Sequence, residues 1–466
     1  MIELTAAEIA RVLAGDLTGD GAVVATGEVR TDSRLVTHGD IFFALPGEVT
    51  DGHRFAAAAV DAGAALVVAE RPVEVDAPVI VVRDGVLALS DLAREVVARV
   101  RALGRLEVLA VTGSNGKTTT KNMLRAILSE HGPTVAPEGS FNNEVGAPVS
   151  MLRVNADSRY LVVEMGADAV GDIAKLVSVV MPDVAIVTRV GLAHVGKFGG
   201  IETTARAKGE LVRDLPPSAV AILNRDDHRV AAMAAQTRAR VRWFGQSGRH
   251  DDWVADRIGV TIEGTRFDLR HGDDRRGVLL PILGEHHVMN ALAALAAADA
   301  VGIPLERAVT ALERMPGAER WRMELLDGPD GAVIINDAYN ASPDSMAAAL
   351  RTLAEVARGA GRRSIAVLGE MAELGDLADE EHDRIGRQVV RLNIERLVVV
   401  GRGARHIHLA AVQEGSWDGE SVLIDEIDDA YDVVRDLLEP GDVVLVKSSK
   451  SAGLRHLGDR LAGVAG

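Results

Sequence analysis

A glycine-rich turn between an apolar strand pattern and a helix pattern constrains this chain more than any other feature. The segment 106–124 reads LEVLAVTGSNGKTTTKNML, and its apolar residues change from a continuous run to helical spacing after the turn. Glycines let the backbone turn tightly with its N–H groups pointing inward, and the helix start adds the positive end of its dipole. Lys117 is placed to bridge terminal phosphates, and the Thr118 hydroxyl is placed to bind a magnesium ion. The sequence therefore predicts a strand, a phosphate-binding loop and a helix.

The spacing of this loop differs from that of the usual P-loop. The pattern G-x-x-x-x-G-K-[ST] needs glycine at position 111, where this chain has Val111. The motif present is the shorter T-G-x-x-G-K-T-T. We expect it to hold the phosphate groups of a ligand through consecutive residues, namely Gly113, Ser114, Asn115, Gly116, Lys117, Thr118 and Thr119.

Length, charge and cysteine content exclude several classes of protein. A chain of 466 residues accommodates about three domains. The net charge of -17 argues against general nucleic-acid binding, although local loops and a metal still permit an anionic small ligand. No apolar stretch approaches the ~20 residues of a membrane span, and the start MIELTAAEIA lacks a signal peptide's pattern. Without a span or a signal-peptide pattern we expect a cytoplasmic protein. The absence of cysteine rules out disulfides, thiolate catalysis and Cys-based zinc sites and fits a reducing compartment.

Lysine is scarce in this chain and therefore informative. Lysine is a compact point charge whose amine can be deprotonated and modified, whereas arginine is a planar fork. In so arginine-rich a chain we expect lysine mainly at positions where arginine cannot replace it. Lys117 and Lys208 are the first candidates for a functional role, while Lys121 and Lys175 are expected on helix surfaces. Lysine supplies seven of the 51 basic residues: Lys117, Lys121, Lys175, Lys197, Lys208, Lys447 and Lys450.

Alternating strand and helix patterns divide the chain into three α/β domains. Residues 1–84 predict a small α/β domain with short strands and one clear helix, at 53–62. Residues 85–315 predict a P-loop-type domain with a largely parallel sheet and an antiparallel excursion at 243–280. Residues 316–466 predict a doubly wound, Rossmann-like domain. Ligands of such sheets bind at the carboxyl ends of the strands.

Polar residues stand near the ends of predicted strands in the central segment. Glu164 closes an apolar run, Asn142 and Asn143 lie in a loop, and His194 follows a strand that ends near position 190. These positions make the four residues candidates for ligand contacts.

A polar cluster in the first segment leaves two interpretations open. Asp32, Ser33 and Arg34 precede an apolar strand pattern. Asp32 and Ser33 suit a turn or a helix cap as well as they suit a ligand contact.

An ordered series of motifs resembles the Mur ligase family across nearly the whole chain. The series is TGSNGKTTT, FNNEVGAP, VVEMGA, GLAHVGKFGG, ARAKGEL, GEHHVMNALAALA, ERWRME, NDAYNASPDSM and LGEMAELG. The phosphate loop alone marks the superfamily. TDSR, FFALPGE and LGEMAELG point to the members that add D-alanyl-D-alanine to a UDP-N-acetylmuramoyl tripeptide.

The resemblance implies an ATP-dependent amide ligase of peptidoglycan precursor synthesis. ATP would phosphorylate a carboxylate, and the acyl phosphate would accept an amine to give an amide, ADP and phosphate. Two magnesium ions would spread the charge of the transferring group. The implied partners are UDP-N-acetylmuramoyl tripeptide and D-alanyl-D-alanine, with no nucleic acid and no membrane span, and we expect a monomer.

Matching motif positions implies roles for the metal-site residues. Thr118 and Glu164 resemble ligands of the ATP-bridging metal, and His194 would help to hold the second ion. Lys208 in ARAKGEL matches a lysine that becomes carbamylated. The carbamate is a carboxylate-like group, and arginine cannot form it stably. Without the motif, Lys208 would be a surface lysine on a helix. The catalytic set implied in this way is Lys117, Lys208, His194, Glu164 and Arg322.

The resemblance also implies how ATP and the UDP substrate are held. Asn290 matches an adenine contact, Asp337 a ribose contact, and Arg322 an arginine that reaches the terminal phosphate from the third domain. Because Arg322 and Asp337 lie across a domain boundary from the loop, the mechanism implies domain closure. The residues assigned to the UDP substrate are Asp32, Ser33, Arg34, Asn142 and Asn143.

One departure and two alternatives stay open. Where the family tends to have a Lys-Gly-Ser-Arg-like turn, this chain has Lys447-Ser448-Ser449-Lys450, so these residues receive no catalytic role. The first alternative is another ligase of the superfamily, either the third-residue Mur ligase or a folylpolyglutamate synthase. The second is a P-loop kinase or NTPase, which would not need a modified Lys208.

Overall fold

Three main sheets follow one another along the chain, and helices cover them. The computed structural model describes residues 1–47, 50–137, 139–192, 198–415 and 417–464. Parallel strand pairs dominate each of the three sheets. The predicted α/β class is therefore confirmed, and the exact domain boundaries stay predictions.

The first sheet has the strand order β2-β7-β6-β5-β4 in the part of the chain that is described. Its strands are β2 (Asp16–Thr18), β4 (Val29–Arg30), β5 (Ile41–Ala44), β6 (Leu66–Ala69) and β7 (Val79–Val81). Strand β2 runs antiparallel to β7, and the others pair in parallel. A separate antiparallel pair joins β1 (Leu4–Thr5) to β3 (Val24–Ala25).

A helix near the N-terminus corrects the expectation of one clear helix in this segment. It spans Ala6–Leu13 and begins with a capping box, in which Thr5 and Glu8 each accept a hydrogen bond from the other's backbone N–H. The sequence Thr-Ala-Ala-Glu was the available signal for this helix. The predicted helix at 53–62 is a 3₁₀ turn, Gly52–Phe55, followed by the α-helix Ala56–Asp61.

The helix Gly85–Ala102 joins the first sheet to the central one. Its buried residues Leu89 and Leu92 share one hydrophobic core with Ile9 near the N-terminus and with Val108 of the central sheet. This shared apolar burial fixes the first sheet against the central sheet.

The central sheet carries the phosphate loop at the end of β8, the third strand from one edge. Its order is β16-β15-β14-β13-β12-β11-β8-β10-β9 among the described residues. The strands are β8 (Glu107–Thr112), β9 (Thr134–Val135), β10 (Tyr160–Glu164), β11 (Val184–Val187), β12 (Val220–Asn224), β13 (Arg240–Gly245), β14 (Trp253–Thr261), β15 (Gly264–His271) and β16 (Asp274–Leu280). The antiparallel pairing starts later than predicted, because β13, which contains Trp243, runs parallel to β12 and only β14, β15 and β16 pair antiparallel.

The third sheet has the order β17-β18-β22-β19-β20-β21 in the described ranges. Its strands are β17 (Glu324–Asp327), β18 (Val333–Asn336), β19 (Ser364–Leu368), β20 (Arg396–Val400), β21 (Glu420–Ile424) and β22 (Val443–Lys447). Only β17 pairs antiparallel within this described sheet. Separate apolar cores lie on its two faces, one around Leu353 and the other around Val434, as a doubly wound domain requires.

The helices complete the layers. The α-helices of the described residues are Ala6–Leu13, Ala56–Asp61, Gly85–Ala102, Lys117–Ser129, Gly146–Met151, Asp172–Val179, Ile201–Arg213, His228–Ala232, His286–Ala300, Leu305–Glu313, Pro343–Ala360, Ala378–Arg391, Arg405–Gln413, Ile427–Leu437 and Leu454–Leu461. Within the described ranges, none of them is both long and apolar enough to span a bilayer.

Candidate active site

A cavity of about 310 Å³ lies beside the phosphate loop, where β8 and β10 end. Strand β8 sits between β10 and β11, so its carboxyl end is where a ligand of an open parallel sheet is expected. Residues of the central segment and of the third segment form the wall. The predicted site residues in this wall are Gly113, Ser114, Asn115, Gly116, Lys117, Thr118, Thr119, Asn142, Glu164, Lys208, Asn290, Arg322 and Asp337.

Two glycines allow neighbouring groups to approach the loop closely. Gly113 has a φ of 150°, and a Cβ there would lie 1.9 Å from Thr188 Oγ1. Gly116 has a φ of 87°, and a Cβ there would lie 2.3 Å from Asn290 Oδ1. Both the backbone conformation and the close contacts therefore require glycine.

Lys117 and Thr118 open the helix that follows the loop. Lys117 Nζ donates a hydrogen bond to the Gly113 carbonyl oxygen at 2.8 Å, so the amine folds back over the loop. Burial lowers the pKa of Lys117, although Glu164 opposes this shift. Thr118 is buried, and its Oγ1 lies 3.4 Å from Ser140 Oγ. The loop thus presents one cation and one hydroxyl to an anionic ligand.

Glu164 is a buried carboxylate with one unused oxygen. It ends β10 and is 1% exposed. Its Oε1 accepts a hydrogen bond from Asn142 Nδ2 at 2.7 Å, whereas Oε2 has no hydrogen-bond partner among the described residues. A cation near Thr118 and Glu164 would satisfy this oxygen.

The donor set suits magnesium bound together with phosphate. Magnesium is usually held by one or two carboxylates plus phosphate oxygens rather than by an all-protein cage. The described ranges contain no group of three or more His, Cys, Asp and Glu residues that could hold a metal ion. Glu164 and Thr118 therefore fit a metal whose remaining ligands come from a nucleotide. His194, the residue predicted for the second metal, lies outside the described residues.

Lys208 is buried, which excludes the surface-lysine interpretation. It lies on the helix Ile201–Arg213, is 3% exposed and lines the same cavity as Lys117. Its amine lies 5.5 Å from the centre of the Phe198 ring. Burial, assisted by the positive charge of Lys117, lowers the pKa of Lys208 to about 7. A substantial fraction of this amine is therefore neutral at physiological pH.

Arg322 reaches the cavity from the segment that leads into the third sheet. Its Nη2 donates a hydrogen bond to Ser140 Oγ at 2.7 Å, and its guanidinium stacks 3.9 Å above the centre of the Tyr339 ring. Its Nε has no hydrogen-bond partner in the described part of the chain. Its neighbours Trp321 and Met323 both have positive φ values, 62° and 58°, which are uncommon for side chains of this size. The backbone is thus held in a strained conformation on both sides of the arginine.

Asp337 and Lys447 form a pair at the carboxyl ends of β18 and β22. Lys447 Nζ donates to Asp337 Oδ2 at 2.6 Å and to the Asn340 carbonyl oxygen at 3.0 Å. Asp337 Oδ1 accepts from the backbone N–H of Met323 at 3.0 Å. Lys447 is 1% exposed and lines the cavity, so it is a site residue to which the sequence analysis gave no role. The scarcity of lysine was the signal that could have identified it.

Asn290 separates this cavity from a second one of about 450 Å³. Both cavities share Asn115, Gly116, His286, Asn290 and Ser345 in their walls. Asn290 is buried, and its amide oxygen faces Gly116. The position suits a ligand that extends from the phosphate loop past Asn290.

Other predicted site residues lie in local caps outside both cavities. Asp32 accepts a hydrogen bond from the backbone N–H of Arg34 and pairs with its guanidinium at 2.6 Å, in the turn that includes Ser33. Asn143 Oδ1 accepts from the backbone N–H of Gly146 at 2.8 Å, at the start of a helix. Neither cavity wall includes them. Their roles toward a UDP substrate stay predictions. The observed contacts of Asp32 are those of a residue that caps a turn.

Lys121 corrects another expectation. It is 1% exposed rather than on a helix surface, and its Nζ donates to the carbonyl oxygens of Pro137 and Gly139 at 2.9 and 3.0 Å. These carbonyls precede Ser140, the residue that accepts from Arg322. Lys121 therefore stabilises the loop on which Arg322 is anchored. Lys175 is 68% exposed at its side chain, as expected.

Comparisons with known proteins agree with this geometry. Family models match three successive parts of the chain: the Mur ligase family catalytic domain at 27–112, the Mur ligase middle domain at 111–298, and the Mur ligase glutamate ligase domain at 321–450. The UDP-N-acetylmuramoyl-tripeptide--D-alanyl-D-alanine ligase of Mycobacterium tuberculosis is 43% identical over 99% of this chain and 98% of its own.

Solved structures extend the similarity to the whole fold. A crystal structure of MurF from Acinetobacter baumannii has a TM-score of 0.88 and 32% identity, and covers 99% of both chains. MurF ligase from Thermotoga maritima in complex with ADP has a TM-score of 0.81 and 27% identity, covering 94% of this chain and 98% of that one. Because relatives more than 30% identical match it from end to end, the chain belongs to the Mur ligase family.

Proposed function

We propose that this chain joins D-alanyl-D-alanine to a UDP-N-acetylmuramoyl tripeptide in peptidoglycan precursor synthesis. A carboxylate oxygen of the tripeptide attacks the terminal phosphorus of ATP, the bond to ADP breaks, and an acyl phosphate forms. The dipeptide amine then attacks the acyl carbon, the bond to phosphate breaks, and the amine loses its proton. One observation carries this proposal: Lys117, Glu164, Lys208 and Arg322 line one cavity. The chain is also 43% identical to a UDP-N-acetylmuramoyl-tripeptide--D-alanyl-D-alanine ligase. We expect a cytoplasmic monomer.

The two cavities suit ATP in a single orientation. The phosphates lie at the loop, where Lys117 and Arg322 offer positive charge, and the adenosine extends past Asn290 into the 450 Å³ cavity. Asn115 Nδ2 and Arg322 Nε are buried donors without hydrogen-bond partners among the described residues, although Arg322 Nε lies 3.7 Å from Glu319 Oε2, and they support a ligand rich in acceptor oxygens. We assign Asp337 to the ribose, which would lie where the two cavities meet, although Asp337 itself lines only the phosphate cavity. Its pairing with Lys447 orients the carboxylate.

Magnesium would be held by Thr118 and Glu164, with His194 and a modified Lys208 at a second ion. Bound magnesium supplies charge neutralisation to the transferring phosphoryl group. Asn142 orients Glu164 through its hydrogen bond to Oε1. We also assign Asn142 to the UDP-substrate side, with Asp32, Ser33, Arg34 and Asn143 farther from the loop.

Lys208 suits carbamylation because its amine is buried and has a low pKa. The neutral amine attacks carbon dioxide, a nitrogen–carbon bond forms, and a proton is released. The product carries a negative oxygen pair where the unmodified residue carries a positive charge. Lys208 has no hydrogen-bond or ion-pair partner among the described residues, so its end is available to a metal ion.

The amine substrate suits a third cavity, of about 570 Å³, on the third sheet. Tyr339, Asn340 and Ser342 belong to its wall and also to the wall of the phosphate cavity. Lys450 and Arg455 line it as well, so a carboxylate could bind there while the amine of the same dipeptide reaches the acyl phosphate. Ser449 ties this wall to the neighbouring loop, because its Oγ donates to the Glu370 carbonyl oxygen at 2.8 Å.

The first prediction concerns substrate dependence. We expect ADP to form at a catalytic rate only when the UDP-muramoyl tripeptide and D-alanyl-D-alanine are both present, because the acyl phosphate needs its amine to turn over. A coupled assay for ADP with each substrate omitted in turn measures this. Equal ADP release with ATP and water alone would exclude the ligase.

The second prediction concerns the carboxylate of the dipeptide. Lys450→Gln should raise the KM for D-alanyl-D-alanine about tenfold, because it removes a charge-assisted hydrogen bond, and should leave the KM for ATP unchanged. The C-terminal amide of the dipeptide lacks the carboxylate, so wild type and variant should use it equally well. Lys175→Gln, at an exposed site, is the matched control. If Lys450→Gln still preferred the dipeptide acid over its C-terminal amide as strongly as wild type does, the carboxylate of the dipeptide would have to bind elsewhere.

A further inference from the structure

His287 is a buried histidine in the wall of the phosphate cavity that the mechanism above does not use. It is 5% exposed and lies in the first turn of the helix His286–Ala300. Arg322 and Lys447 line the same cavity. Among the described residues, its Nε2 has no hydrogen-bond partner.

A hydrogen bond within the helix determines which ring nitrogen carries the proton. Asn290 Nδ2 lies 3.2 Å from His287 Nδ1, while the oxygen of the same amide faces Gly116. An amide nitrogen only donates, so Nδ1 of His287 accepts. In a neutral imidazole the other nitrogen is then the donor, which places the proton on Nε2.

The surroundings keep this ring neutral. Burial, together with the positive charges of Arg322 and Lys447, lowers the pKa of His287 to about 3. The ring therefore offers one N–H and no net charge. It is unsuited to act as a general acid near neutral pH, because almost no imidazolium is present to give up a proton.

We infer that His287 binds the phosphate chain of the nucleotide, donating a hydrogen bond from Nε2 to a phosphate oxygen, with Asn290 holding the ring in the tautomer that allows this. A buried N–H without an acceptor is unfavourable, and a polyphosphate brings acceptor oxygens.

The phosphate chain is a better acceptor than the adenine base because of where the ring lies. His287 belongs to the wall of the phosphate cavity and not to that of the 450 Å³ cavity proposed for adenosine. Arg322 lines the same wall and would attract the same phosphate oxygens, whereas the amine of Lys447 is paired with Asp337. Asn290 thus connects the two parts of the nucleotide site, since it faces Gly116 on one side and His287 on the other.

Three substitutions separate the donor from a merely structural role. His287→Gln places an amide nitrogen near the former position of Nε2. His287→Asn places its amide near the former position of Nδ1, so it keeps the link to Asn290 but loses the donor. His287→Phe removes both and keeps a ring. His250→Asn, at an exposed histidine outside both cavities, is the control.

The test is calorimetric binding of ADP with magnesium to the full-length protein, with adenosine measured by competition. We expect His287→Asn and His287→Phe to bind ADP about tenfold more weakly and His287→Gln to bind within about threefold of wild type. Adenosine binding should not change. Thermal melting without nucleotide identifies a variant that fails to fold, and the Asn and Gln variants still decide the question if the Phe variant does.

The possible failures differ in meaning. No ADP binding by the wild-type protein would overturn the proposed function, on which this inference rests. Wild-type affinity in His287→Asn, or an equal loss in His287→Gln and His287→Asn, would show that Nε2 does not donate to the nucleotide. An equal loss of adenosine affinity would move the contact from the phosphates to the nucleoside.

Discussion

Lys208→Ala should lower kcat about 10³-fold or more, because it removes a proposed ligand of the metal ion that would neutralise charge on the reacting phosphoryl group. The proposed carbamate adds negative oxygens beside a divalent metal. Alanine lacks these oxygens, and its smaller side chain leaves an empty space in their place. Added bicarbonate or short carboxylates should restore part of the activity, since they can enter the space and supply an oxygen pair. Steady-state rates with and without these anions measure both effects.

Lys208→Arg distinguishes a carbamate from a plain cation. Arginine keeps the positive charge but cannot form the stable carbamate, so we expect this variant to be as inactive as the alanine form. Lys175→Ala, at an exposed lysine, should keep wild-type activity. An active arginine variant would rule out the carbamate.

The pH dependence of this modification has a definite sign. Burial lowers the pKa of Lys208 to about 7, so the neutral, nucleophilic amine predominates above that pH. Carbamylation should therefore be lost as the pH falls through about 7. The ¹³C NMR signal of protein equilibrated with labelled bicarbonate reports this directly, and the signal should be absent from Lys208→Arg.

Local patterns in the sequence predict the elements of this fold well. The change from a continuous apolar run to helical spacing predicts both β8 and the helix Lys117–Ser129 close to where the structure has them. An alanine-rich run also predicts a helix over 285–300, and the structure has this helix at His286–Ala300. Such elements are predictable because their periodicity depends on neighbours a few residues apart.

Contacts between distant segments are harder to predict. Lys121 has the spacing of a surface residue, yet the loop that contains Pro137 and Gly139 covers it and supplies two carbonyl oxygens. Lys447 ends a strand 110 residues after Asp337, and parallel pairing of β18 with β22 brings the two together. No periodicity within either segment contains this information. The resemblance to a family supplied Asp337, and only the structure added Lys447.

Lys117→Ala should lower kcat about 10³-fold while the protein stays folded. The amine is the point charge closest to the expected phosphates, and its one hydrogen bond inside the described structure goes to the Gly113 carbonyl oxygen. Because burial lowers its pKa, the charged amine is less favourable in this cavity than in water, so its removal should not destabilise the fold. Thermal melting without nucleotide and steady-state kinetics measure the two effects separately.

Lys121→Ala serves as the comparison, because we expect it to reduce the stability of the fold, which Lys117→Ala should leave unchanged. Lys121 donates to two backbone carbonyls and is 1% exposed, so its loss leaves buried acceptors without donors and should lower the melting temperature. Lys117→Ala should instead melt like wild type and bind ADP weakly, since only the phosphate contact is lost. If Lys117→Ala turned over normally, the loop would be structural and the phosphates would have to bind elsewhere. If it melted like Lys121→Ala, the loss of activity would report on folding rather than on the charge that Lys117 brings to the nucleotide.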